Sequence, residues 1–131
     1  MRNNPPGNQE MNKPRRYRVI QSRKTNYSVP IVLKRGETVT IGEEYKEKDT
    51  WKGWIWCETS EKKCWVPYQI IEKQDERHGK LKEEYIATEL NVDKDDSIEA
   101  EKELNGWVWG RNVNKNEYGW VPLEILEKED R

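Results

Sequence analysis

The sequence predicts an all-β protein made of two small five-stranded barrels in tandem. Three observations predict it. A Trp-rich pattern occurs twice, as Gly53-Trp54-Ile55-Trp56 … Trp65-Val66-Pro67 and as Gly106-Trp107-Val108-Trp109 … Trp120-Val121-Pro122. The two copies hold six of the seven tryptophans. Apolar residues otherwise fall in short alternating runs separated by turn residues, the period of strands, and long helical periodicity is absent.

The repeat sets the domain count, dividing the 131 residues into two units of about 50–57 residues each. Only 33% of the chain is hydrophobic and 37% is charged, a composition that suits disorder when apolar residues are scattered. Here they are clustered. A buried Trp or Tyr adds about 150–250 Å² of contact, enough to give a unit this small a core.

In chain order, residues 1–16 are rich in Asn, Pro and Gly and read as a flexible tail. Tyr17, Val19 and Ile20 open the first domain, expected over 17–73. Ser22 to Pro30 reads as a loop, and Ile31-Val32-Leu33 is a short apolar run. Lys34-Arg35-Gly36-Glu37 is a turn in which Gly supplies permissive dihedrals. Thr38-Val39-Thr40-Ile41 is a β-branched strand, and Glu43 to Lys52 is a charged loop. Trp54 to Thr59 and Cys64 to Pro67 form a hairpin, and Ile70-Ile71 closes the unit. A polar linker is expected at 74–80, with a solvated His78. The second domain, 81–131, repeats the order: Leu90-Asn91-Val92 matches Ile31-Val32-Leu33, and Asp95 stands at the place of Gly36.

The hairpin register follows from the turns. With Ser60-Glu61 as one turn, Trp56 opposes Trp65 and Cys57 opposes Cys64. With Asn114-Lys115 as the other, Trp109 opposes Trp120 and Gly110 opposes Gly119. A slip of one residue would send these side chains to opposite faces. Alternation then puts Trp54, Trp56 and Trp65 on one face, away from Ile55, Cys57 and Val66. Trp107, Trp109 and Trp120 oppose Val108, Gly110 and Val121 in the same way. The small residues suit a narrow barrel interior, and the tryptophans are expected on the outer, ligand side.

These segments resemble the Src-homology-3 (SH3) domain, in the tandem variant form found in bacteria. Glu89-Leu90-Asn91-Val92-Asp93-Lys94-Asp95-Asp96-Ser97-Ile98 is similar to that family's diverging turn. Asn105 to Trp109 is similar to its D-G-W-W strand, and Gly119 to Leu126 to its closing segment. The resemblance implies a barrel that binds extended, often proline-rich peptides in an aromatic groove, with acidic residues taking a basic side chain. It implies groove roles for Trp54 and Trp107, for the neighbouring aromatics Trp65 and Trp120, and for Pro67 and Pro122. The chain departs from the family at the A-L-Y-D-Y motif, where only Tyr85 survives. It departs again at the closing tyrosine, replaced by Ile70 and Ile125.

The expected function is therefore non-catalytic peptide or protein binding, by an adaptor or regulatory partner. The ligand residues are Trp54, Trp56, Trp65, Pro67, Tyr85, Asp95, Asp96, Trp107, Trp109, Trp120 and Pro122. Two alternatives stand beside it: a module binding cell-wall peptidoglycan peptides, and a structural pair whose tryptophan faces are buried between the domains. Asp93, Asp95 and Asp96 offer either capture of a cationic side chain near Trp107 or a solvated turn. A basic segment, Lys13 to Arg18, could dock on the second unit as a built-in pseudo-ligand. Residues 1–18 hold five basic groups against one acid, whereas residues 82–131 hold seven against fourteen. That acidity argues against nucleic acid and fits a basic or proline-containing partner. No apolar window is long enough to span a membrane, and no signal peptide is visible. A cytoplasmic monomer is expected, with secretion to the cell wall as the alternative. Cys57 and Cys64 are expected to be reduced and inert. With a single His, in the linker, and two Cys, no nucleophilic triad or zinc set is assembled, the acid run lacks the twelve-residue calcium loop with its Gly and terminal Glu, and no cofactor is expected.

Overall fold

The computed structural model describes residues 15–129. It is all-β apart from three single-turn 3-10 segments. The chain folds into two compact units, and their boundaries are not those read from the sequence. One unit combines Met1–Asn26 with Glu89–Arg131; the other, Tyr27–Thr88, is inserted between these two segments of chain. They are called here the split barrel and the inserted barrel.

The split barrel holds β1 (Arg15–Val19), β9 (Ser97–Leu104), β10 (Trp107–Asn112), β11 (Glu117–Pro122) and β12 (Leu126–Lys128), with the 3-10 turn Leu123–Ile125 before β12. They form one antiparallel sheet in the order β11-β10-β9-β1-β12. The inserted barrel holds β2 (Val32–Leu33), β3 (Thr38–Glu44), β4 (Trp54–Glu58), β5 (Lys63–Pro67), β6 (Ile71–Lys73), β7 (His78–Leu81) and β8 (Tyr85–Ile86). Its 3-10 turns are Asp49–Trp51 and Tyr68–Ile70. Its main sheet runs β5-β4-β3-β7-β6, and β2 pairs separately with β8.

The expected domains, 17–73 and 81–131 joined by a 74–80 linker, are thus regrouped. β1 pairs with β9 and β12, not with the strands that follow it in sequence. Residues 78–80 are not linker; they belong to β7, which pairs with β3 and β6. The cause is local. After β6 the chain reverses at once, as Gln74 N–H donates to the His78 carbonyl at 2.8 Å. Asp75 Oδ1 accepts the N–H groups of Arg77 and His78 at 2.8 and 2.9 Å. Those two hydrogen bonds and the neighbouring His78 ring hold the Asp75 carboxyl below its usual pKa. A turn so well bonded returns the strand to the barrel it has just left.

Arg15 and Arg16, assigned above to a flexible tail, begin β1; the rest of that expected tail, residues 1–14, lies outside the described residues. The basic segment does meet the acidic unit, but as a strand of it. Arg16 reaches Glu99 at 3.0 Å, and Arg18 reaches Asp95 at 2.7 Å and Glu127 at 3.1 Å. Each exposed pair contributes no more than about 1 kcal/mol. The larger contribution comes from Tyr17 and Val19, buried in a core with Leu90, Val92, Ile98, Ala100, Val108, Val121 and Ile125. The core of the inserted barrel includes Leu33, Val39, Cys57, Cys64, Val66 and Leu81.

Both hairpins have the register read from the sequence: Trp56 opposite Trp65 and Cys57 opposite Cys64, Trp109 opposite Trp120 and Gly110 opposite Gly119. Asp95 has φ +79°, matching Gly36 at +83°, so the same left-handed turn is made without glycine. Asn105 and Gly106, both at positive φ, join Leu104 to Trp107 in a two-residue hairpin turn.

Gly110 sits at a bulge where β9 and β10 shift register. A Cβ there would overlap the Glu99 carbonyl oxygen and lie 3.1 Å from the Ala100 Cα. Backbone cannot yield as a side chain can, so Gly110→Ala is expected to cost about 1–3 kcal/mol. An unchanged urea midpoint would contradict this.

Candidate functional site

The two Gly-Trp hairpins are anchored alike. Gly53 and Gly106 hold positive φ, +103° and +84°, and each carbonyl accepts the first N–H of the 3-10 turn after the proline. Tyr68 N–H donates to Gly53 O at 2.8 Å and Leu123 N–H to Gly106 O at 2.9 Å. This fixes Pro67 across from Trp54 and Pro122 across from Trp107.

The tryptophans share faces as expected but are not equally open. Trp54 and Trp107 are each only 6% exposed and Trp120 5%, so these three rings are packed inside. Pro67 and Pro122 are fully buried. Alternation assigns a face; it does not say whether that face is covered. Trp56, Trp65 and Trp109 are half-buried.

Tyr85 is placed with the first tryptophan set and not the second. Its hydroxyl donates to the Trp65 carbonyl at 2.9 Å, because β8 joins β2 of the inserted barrel through the Leu33–Tyr85 pair. In the split barrel the matching pair is Arg23 with Val92. Arg23 lies over the Trp107 ring, 5.2 Å from its centroid, and reaches Glu89 at 3.0 Å. Thr25 Oγ1 donates to the same Glu89 oxygen at 2.7 Å.

Asp95 and Asp96 have structural partners. Asp95 pairs with Arg18. Asp96 is buried, accepts the Asp93 N–H and the Asn112 amide at 2.9 Å each, and lies 3.5 Å from Lys115. Asp93 takes the same Lys115 at 3.0 Å. The trio therefore closes the turn before β9.

Sequence reasoning passed over Tyr45 and Trp51, both within the stretch read as a charged loop. In the structure they extend the tryptophan pair into a chain of four rings. Trp56 meets Trp65 edge-on at 5.1 Å, Trp65 meets Tyr45 at 5.4 Å, and Tyr45 meets Trp51 at 5.4 Å. All four are half-buried. The Lys48 ammonium lies 4.2 Å from the Trp51 centroid, and the Trp56 indole N–H donates to Glu58 at 2.8 Å. Trp51 was the one tryptophan outside the repeat, and that isolation was the available signal. In the split barrel Trp109 meets Trp120 edge-on at 5.5 Å.

Among the described residues no cluster of His, Cys, Asp or Glu is placed to hold a metal ion. No helix among them is long and apolar enough to cross a membrane.

Two antiparallel five-stranded units, each with a Gly-Trp hairpin and a proline-led 3-10 turn, define a paired SH3-like protein. The family model of the variant SH3 domain matches residues 16–74 and again residues 78–129. The chain belongs to the variant SH3 domain family. No match to it was found among curated proteins or solved structures. SH3-like domains are generally non-catalytic modules that bind proteins or peptides. Each family match covers a contiguous stretch of sequence, whereas each barrel takes its first strand from the other stretch.

Two titrations follow from the site. Burial works against the Asp96 carboxylate, but the Asp93 N–H, the Asn112 amide and Lys115 outweigh it and lower its pKa. The unfolded carboxyl titrates near about pH 3.9. The stabilisation is therefore present above that pH and lost as pH falls through the lower folded value. Asp96→Asn should flatten the urea midpoint between about pH 5 and 2; a profile identical to the parent's would contradict it.

Cys57 and Cys64 are free and buried. Burial, reinforced by the neighbouring Cys64, raises Cys57 to about 12. Burial also raises Cys64, to about 11, with Lys62 opposing and Glu37 adding to it. Neither thiol should react with a disulfide reagent at about pH 8 until the chain unfolds. Rapid labelling of the native protein would contradict this.

Proposed function

We propose that the protein is a non-catalytic adaptor or regulatory module that binds an extended peptide segment of another protein. The binding surface is the ring chain of the inserted barrel, Trp51, Tyr45, Trp65 and Trp56. The single observation that carries the reading is the continuity of these four half-buried rings. Rigid aromatic area of this kind suits peptide contact at low entropic cost. The Trp51 face already carries one cation, Lys48. A basic side chain beside a proline or other apolar residue is the ligand chemistry that fits. Trp54, Trp107 and Trp120, buried as they are, serve the fold in this reading. A cytoplasmic setting accords with it, since opposed thiols remain reduced there.

The test is an indole N–H titration with proline-containing peptides, with and without an arginine. The Trp51, Trp56 and Trp65 signals should shift, more strongly with arginine. Trp56→Ala should weaken binding by about tenfold or more while the far-UV spectrum is kept. Peptides that bind without moving these indoles would overturn the assignment. Retention of Trp56→Ala on peptidoglycan would instead favour a cell-wall ligand.

A further inference from the structure

The two barrels exchange first strands, and the strands are not interchangeable. β1 and β7 occupy the same place in their sheets. Tyr17 pairs with Ile98 as Gly79 pairs with Val39. Val19 pairs with Leu126 as Leu81 pairs with Ile71. The matched positions carry opposite bulk. At Gly79 a Cβ would lie 2.7 Å from Ile71 Cγ2 and 3.1 Å from Ile41 Cδ1. At the counterpart of Ile41 the split barrel has Ala100, in the cluster that buries Tyr17.

We infer that the exchange is encoded by complementary volume: Tyr17 with Ala100 in one barrel, Gly79 with Ile41 and Ile71 in the other. In a chain folded as two successive domains, β1 would pair with β3 and β6. Tyr17 would then stand where even a methyl forces Ile71 to shift. Gly79 would stand beside Ala100 and leave a cavity the size of a phenol ring. Both barrels lose at once, one by overpacking and one by a void. Charge agrees with volume. Arg16 now faces Glu99 and would face Thr40; Arg18 now pairs with Asp95 and would find Gly36. The Tyr17 hydroxyl would lose Glu103, 2.5 Å away.

Two double-mutant cycles test this on the full chain, with the folding equilibrium constant from urea titration as readout. One combines Gly79→Ala with Ile71→Ala; the other combines Ala100→Ile with Tyr17→Ala. In each, the second change should recover about tenfold or more of what the first loses. If Gly79→Ala does not fold, the second cycle decides. Additivity within about twofold in a measured cycle would overturn the inference. So would coupling of Gly79 to Ala100 in place of Ile71, which is the signature of successive domains.

Discussion

The seating of Tyr17 in the core of the split barrel is the contact on which the rest of the structure depends. It brings residues 15–26 onto the strands that follow residue 88, and so makes the intervening segment, 27–88, an insertion. The inserted segment must then find its own first strand, and the tight Asp75 turn supplies β7 from its far end. Both sheets have the same arrangement, but β1 precedes its hairpin strands in the chain whereas β7, at the same place in the other sheet, follows them. The inserted barrel draws all its strands from the one segment 27–88, whereas the split barrel draws its strands from both sides of it.

Much of the fold was legible because cross-strand pairing is a local constraint. Trp56 with Trp65 and Trp109 with Trp120 set two registers that agree with each other, and both are found. Asp95 was readable as a substitute for Gly36 because the segments around them align, and both adopt the left-handed turn. Strand partners were not legible. Tyr17/Val19 and Gly79/Leu81 show the same alternation, and alternation says which side faces a core without saying whose core. The deciding contacts join residues more than eighty positions apart, such as Tyr17 and Glu103.

The site shows the same division. Shared faces for the tryptophans followed from the period of the strands, but burial did not, and three of the six repeat tryptophans prove to be packed inside. Tyr85 moved to the first tryptophan set only because β7 and β8 belong to the inserted barrel. Tyr45 and Trp51 were hidden by their charged neighbours, whose side chains dominate the composition of the loop. The three aspartates around residue 95 left cation capture and a solvated turn both open. Their partners Arg18, Asn112 and Lys115 lie on strands or turns distant in sequence, so the bonds they make were not readable from the aspartates themselves. The result is an asymmetric pair: one barrel carries a chain of half-open rings, and the other has an arginine of its own over Trp107.

The nested topology is the central claim, and intramolecular cross-linking tests it most directly. Arg18 lies opposite Ser97 in the split barrel. Thr38 lies opposite Lys80, the residue that takes the place of Arg18 in the inserted barrel. Cysteines introduced at 18 and 97 should form a disulfide within the monomer on mild oxidation, and cysteines at 18 and 38 should not. A monomer cross-linked between 18 and 38 would show two successive domains and contradict the account.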